Sequence, residues 1–160
     1  MQQITILCVG RIKEKYLKDA IEEYSKRLSR YCRLNITEVA DEGTPDNASG
    51  AEEDAIRRKE GERLLKAMPQ NAYIVTLEIE GKQYTSPQLA EQIARLGVEG
   101  NSHIVFVIGG SLGLAPEVLK QSDMRLSFSK FTFPHQLMRV ILLEQIYRSY
   151  RIINKEPYHK

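Results

Sequence analysis

The chain has 160 residues, 42% of them hydrophobic and 28% charged, with a formal net charge of +2 at pH 7. That length suits one domain, residues 1–160, with a buried core, and that composition excludes disordered and membrane-spanning classes. The near balance of charge creates no overall field for nucleic acid, so any such affinity must come from how the charges are distributed.

In chain order, ITILCVG, Ile4 to Gly10, is a buried-type strand. The residues around it lack the basic region and long apolar stretch of a secretory signal, so a cytoplasmic protein is expected. Leu17, Ala20, Ile21, Tyr24, Leu28 and Tyr31 then recur with helical period. LNITEV alternates as a strand, and DEGTPDNASG is a polar loop. Ala51 to Met68 reads as a second helix with Ile56, Leu64, Leu65 and Met68 inward, stopped by Pro69. AYIVTLEI is the third strand. EGKQYTSPQLAEQIARLG gives a loop, a Ser86 N-cap with Pro87 at the first helical position, and a helix ending at Gly97. HIVFVI is the most apolar strand and is expected at the sheet's centre. Pro116 opens a short helix to about Gln121, MRLSFS is a fifth strand, and Pro134 opens the last helix. This βαβαβαβαβα order predicts an α/β fold with a parallel-type sheet flanked by helices on both faces.

Val140, Ile141, Leu142 and Leu143 are consecutive, so they point around the whole circumference of the last helix. One sheet covers one side, and a second copy of the chain is the simplest cover for the other, so a homodimer is expected ahead of the alternative, a helix wholly inside the monomer. Cys8 and Cys32 have no CxxC spacing, and His103, His135 and His159 show no metal-ligand spacing. Reduced structural thiols and no metal are expected. Basic residues crowd Gly10–Arg33 and the stretch from Lys130 onward, while Glu38–Glu60 is acid-rich. That segregation suits either a basic face for RNA phosphates, with Lys26, Arg30 and Arg33 on it, or solvated helix surfaces.

Two stretches carry candidate chemistry. VFVIGGSLG places three glycines after a strand, yet GGxxG is neither GxGxxG nor a phosphate loop closed by GKS or GKT. Such a loop suits a polar ligand that is neutral or positively charged, although glycines also serve tight turns. LSFSKFTFPHQLMR holds Phe128, Phe131 and Phe133 in a strand-to-helix linker, which predicts a linker folded inward. Ligands of open parallel sheets gather beyond the strands' carboxyl ends, and those at Leu77–Glu78, Gly109–Gly113 and Ser127–Phe133 are expected to converge.

Together VFVIGGSLG, LSFSKFTFPHQLMRVILLEQIYR and the terminal PYHK resemble the small bacterial SPOUT-class methyltransferases that modify N3 of a pseudouridine in large-subunit (23S) ribosomal RNA. The resemblance runs from ITILCVGRIKEKY to YHK. It implies a C-terminal trefoil knot over about 72–152, a tail over 153–160, and S-adenosylmethionine bound in the knotted loops. Unaided, the rule that chains avoid knots would have denied the threading. Carried over by position, the cofactor contacts are Leu77, Gly109, Phe128, Ser129, Lys130, Phe131, Thr132 and Phe133. His159, Tyr158 and Arg148 are implied near the target base, reaching across a dimer interface into the partner's pocket, with the ribosome presenting the RNA. Without the resemblance, His159 is a residue of a frayed tail and Arg148 a helix ion-pair partner of Glu144. His135 is read as a helix-start residue bonded to the cofactor loop, and Gln136 and Arg139 as structural or dimer contacts. The competing function is a ribosome-associated RNA-binding protein of the same fold without catalysis.

Overall fold

A computed structural model describes residues 1–160. In chain order the elements are β1 (Gln3–Val9), α1 (Lys15–Leu28), β2 (Arg33–Val39), α2 (Gly50–Ala67), β3 (Tyr73–Gln83), α3 (Ser86–Val98), β4 (His103–Ile108), α4 (Pro116–Leu119), β5 (Met124–Ser127) and α5 (His135–Ile153). The five strands form one sheet in the order β2-β1-β4-β3-β5, and every neighbouring pair is parallel. The apolar strand β4 is the central one.

Alternation along the strands divides the core in two. Ile4, Ile6 and Cys8 of β1 join Ile104, Phe106 and Ile108 of β4 beneath α1, α3 and α5. Leu7 and Val9 join Val105 and Val107 on the opposite face, closed by Leu64 of α2 and Val118 of α4. Helices therefore cover both faces, as the element order predicts. The all-round apolar stretch of α5 is explained mainly within the chain: Leu142, Leu143 and Ile146 are fully buried between the sheet and the flanking helices α1 and α3. Val140 and Ile141 stay half-buried, and Leu137 is exposed.

Several boundaries differ from the sequence expectation. The N-cap of α3 is Thr85: its hydroxyl accepts the Gln88 N–H, and the Gln88 side chain accepts the Thr85 N–H. Ser86 is instead the first helical residue, and its hydroxyl donates to Gln145 Oε1 at 2.7 Å, joining α3 to α5. The third strand does not end at Ile79. Pairing with β5 breaks after Leu77 and resumes at Lys82, so four residues bulge from the ladder. Gly81 permits the bulge, since a Cβ there would lie 2.8 Å from the Arg125 carbonyl. On α2 the buried positions are Glu60, Gly61 and Leu64, with Ile56 only half-buried. Gly61 brings the helix backbone against Ala115 and Val118, where a Cβ would be 3.1 and 3.2 Å from their side chains.

Arg139 is buried on α5, and it donates to Glu38 at the end of β2 and to the Gly10 carbonyl beyond β1. It is thus a structural contact inside the chain. Cys8 and Cys32 are free and buried. Burial pushes their thiols up to about 12 and about 11 respectively.

Two outcomes follow. Leu142→Ala, at a fully buried site, should destabilise the fold by about 2–5 kcal/mol in urea unfolding. Neither thiol should be alkylated by iodoacetamide at pH 8 in the native protein, and both should react once it is unfolded, which intact-mass spectrometry would read.

Candidate active site

The carboxyl ends of β3, β4 and β5 meet around a cavity of about 700 Å³. Three segments wall it: the glycine loop after β4, the start of the β3 bulge, and the linker from β5 to α5. The first turn of α5 adds His135 and Met138. The expected convergence of strand ends is therefore present.

The glycine loop is rigid for local reasons. Gly110 and Gly113 face each other in an antiparallel bridge, the Gly113 N–H donates to the Gly110 carbonyl at 3.1 Å, and Gly113 has φ +84°. A Cβ at Gly109 would lie 2.7 Å from the Gly113 carbonyl carbon, so any side chain there would open the turn. From α2, Arg57 donates to the Leu112 carbonyl at 3.3 Å and Glu60 packs against Gly110. In the linker, the Ser127 hydroxyl donates to the Ser129 carbonyl and the Ser129 hydroxyl accepts the Phe131 N–H.

Of the residues assigned to the cofactor, Leu77, Gly109, Phe128, Ser129 and Phe131 to Phe133 line this cavity. Lys130 does not; it is exposed beside the wall. The linker is also less inward than expected. Phe128 and Phe133 are half-buried, but Phe131 is 77% exposed at the cavity, because nothing in a single chain covers its outer side.

Arg148, Tyr158 and His159 come together away from the cavity. Tyr158 Oη donates to Glu144 Oε2 at 2.8 Å, Arg148 Nη2 donates to the same carboxylate at 2.9 Å, and Arg148 Nη1 lies 3.1 Å from His159 Nδ1. A guanidinium only donates, so Nδ1 accepts and the ring proton sits on Nε2. The Arg148 guanidinium also lies 4.7 Å from the Tyr158 ring centroid, and Tyr158 packs edge-on against Tyr147. Burial, followed by the hydrogen bond to Glu144, pushes the Tyr158 hydroxyl up to about 12, so it stays protonated at neutral pH. The tail is tied down further: Tyr31 Oη donates to Glu156, and Arg151 donates to Glu156 and to the Pro157 carbonyl. The Glu144 ion pair and the His159 contact thus belong to one cluster. None of its members lines the cavity of its own chain, and Arg148 lies about 20 Å along α5 from His135.

His135 lines the cavity without making a hydrogen bond to the cofactor loop. Its ring nitrogen lies 3.7 Å from the Cβ position of Gly10, and burial first, then the Arg139 charge, lowers its pKa. Sequence reasoning placed Glu78 at a converging strand end without giving it a role, and missed the buried Glu60. Glu78 was visible only as a strand end, and Glu60 falls outside the apolar pattern of its helix. Lys26, Arg30 and Arg33 are exposed, with the Arg30 guanidinium over the Tyr31 ring. No three His, Cys, Asp or Glu side chains gather as a metal set, and no helix is long and apolar enough to cross a membrane.

A family model described as "Predicted SPOUT methyltransferase" matches residues 2–159. The chain is 63% identical to Ribosomal RNA large subunit methyltransferase H of Bifidobacterium adolescentis over 158 residues, 99% of each chain. It is 62% identical to the protein of the same name from Clostridium novyi over 98% of this chain and 99% of that one. Among solved structures, a probable methylase family protein from Haemophilus influenzae Rd KW20 superposes with a TM-score of 0.57 at 12% identity, over 98% of this chain and 70% of that one, which speaks to the fold alone. A match over nearly every residue, with relatives of equal length, makes the chain a member of the SPOUT methyltransferase family.

Proposed function

We propose that this methyltransferase, acting as a homodimer, transfers a methyl group from S-adenosylmethionine to N3 of a pseudouridine in 23S rRNA of the assembled ribosome or its large subunit, in the cytoplasm. The observation that carries the reading is the cavity itself, bounded by the glycine loop and the linker at the carboxyl edge of a parallel sheet. The names of the relatives supply the ribosomal RNA.

The wall suits such a donor. It presents backbone groups and apolar side chains, no lysine or arginine, and a volume within the range of small-molecule sites. Leu77, Gly109 and the linker from Phe128 to Phe133 would hold it, with Lys130 at the rim. The bound donor supplies an electrophilic methyl carbon on a sulfonium sulfur. The acceptor imide must lose its proton to become nucleophilic, and the tail cluster has the groups to assist: Arg148 to stabilise the developing anion, His159 to relay the proton through Nε2, and Tyr158 to donate a hydrogen bond. Because that cluster lies away from its own cavity, a second copy is the natural way to bring it there. The half-buried Val140 and Ile141 and the exposed Leu137 and Phe131 support such a neighbour. A single domain with a knot over about 72–152 is consistent with the chain's path: it crosses the α2 face through α4, passes along β5 and the linker, and returns over the other face as α5.

Calorimetry should find saturable binding of S-adenosylmethionine to the protein, and Gly109→Ala should weaken it at least tenfold by opening the turn. Deleting Tyr158–Lys160 should lower kcat on ribosomes by about 10²-fold or more while leaving donor affinity within about twofold. No methyl transfer by the intact protein, with ribosome affinity unchanged by the deletion, would favour the RNA-binding alternative. Mixing inactive Gly109→Ala and His159→Ala chains under exchange should restore about a quarter of wild-type activity, because only mixed dimers pair one intact cavity with one intact tail. No recovery would mean that each chain works alone.

A further inference from the structure

The cavity wall has two titratable side chains, Glu78 and His135. Burial and the neighbouring Arg139 charge favour the neutral form of His135. Glu78 is the wall's one carboxyl side chain, and the wall has no lysine or arginine. It stands where β3 leaves its ladder, at the first of the four bulged residues between Leu77 and Lys82. The bulge crosses the Arg125 backbone so closely that only glycine fits at residue 81. The backbone from which the carboxylate extends is thus held by main-chain geometry.

Its cationic partner is weakly placed to neutralise it. The Arg125 guanidinium lies 3.6 Å from Glu78 Oε1, its side chain is 52% exposed, and it also donates to the Leu119 carbonyl. Arg125 lines the shallow neighbouring pocket, whereas Glu78, only 15% exposed, lines both that pocket and the main cavity. Water screens an exposed guanidinium, while a carboxylate on an apolar wall acts on an occupant through a lower effective dielectric.

We propose that Glu78 sets the charge preference of the cavity, retaining a cationic methyl donor and releasing the neutral product. The inference rests on the methyl-donor reading above. In the transfer, the acceptor nitrogen, its proton already lost, forms a bond to the methyl carbon, and the carbon–sulfur bond breaks with its electron pair staying on sulfur. The sulfonium becomes a thioether, so the occupant loses one positive charge while its shape changes by one methyl group. Glu78 responds to that difference and to little else, so turnover itself loosens the product. The effect acts through space and requires no direct contact with the sulfur.

The test is calorimetric titration of the wild type and Glu78→Gln, which keeps the side chain's size, with S-adenosylmethionine and with S-adenosylhomocysteine. The variant should bind the sulfonium compound about five- to tenfold more weakly and the thioether within about twofold of wild type. Glu78→Asp should restore most of the preference, and Arg125→Gln, which removes the outer countercharge, should strengthen it. Equal weakening of both compounds in Glu78→Gln, or no change in their ratio across these variants, would overturn the proposal while leaving the donor site intact. A wild type that binds neither compound would instead overturn the methyl-donor reading itself, and this inference with it.

Discussion

A buried guanidinium anchors the helix that runs from the cavity wall to the tail cluster. Arg139 meets the Glu38 carboxylate and the Gly10 carbonyl, and Glu38 also accepts the Ile12 N–H at 3.3 Å. The contacts join α5 to the carboxyl ends of β1 and β2, on the half of the sheet away from β3 and β5. Arg139 is the buried member of the pair and Glu38 is 37% exposed, so losing the carboxylate would leave a buried guanidinium with only the Gly10 carbonyl as partner. The helix needs this tie because its start has no side-chain cap, only Pro134. Its first turn, which puts His135 and Met138 into the cavity wall, is held by tertiary contact. Its later turns carry Glu144 and Arg148 and hold the tail, so one rod connects the cavity to the tail cluster.

Around the cavity the main chain does most of the shaping. Gly109 and Gly81 stand where backbone approaches backbone too closely for a Cβ. Gly61 brings α2 under the loop, and Glu60 next to it is buried with Oε2 accepting the Glu42 N–H and Oε1 without a partner. Burial raises its pKa, against the opposing bond from the Glu42 N–H, a direction that favours the protonated acid beneath the glycine loop. A wall made of constrained backbone is hard to alter by side-chain exchange except at its few polar positions, and that is why Glu78 stands out.

The sequence made the elements legible wherever periodicity spoke. Five strands, five helices, the central place of HIVFVI and the meeting of strand ends all follow from apolar spacing and from glycine and proline punctuation. It misled where tertiary pairing overrode local signals. EGKQ looks like a loop because Glu80, Gly81 and Lys82 break the apolar pattern, yet the chain rejoins the ladder at Lys82. Ser86 beside Pro87 looks like a cap, but Thr85 has the partner Gln88 at the required spacing. The run Val140 to Leu143 asked for cover on every side, and α1 and α3 supply most of it within one chain. The cofactor residues and the tail trio rested on motif resemblance, since no periodicity ties residue 77 to residue 131 or brings residues 148 and 159 together. Glu78 and Glu60 gain their interest only from the three-dimensional packing around them.

The bulge in β3 also has a bearing on solubility during synthesis. β5 forms one edge of the sheet and has only four residues, paired on its inner side with a strand that is itself interrupted. At the other edge β2 interleaves exposed Arg33, Asn35 and Glu38 with half-buried Leu34, Ile36, Thr37 and Val39, and the Glu38 carboxylate is drawn toward Arg139. A short irregular margin on one side and a polar one on the other offer little continuous ladder for a foreign strand to extend. A parallel sheet assembled from distant segments is slow to close; these margins leave its unfinished forms few places at which to join one another.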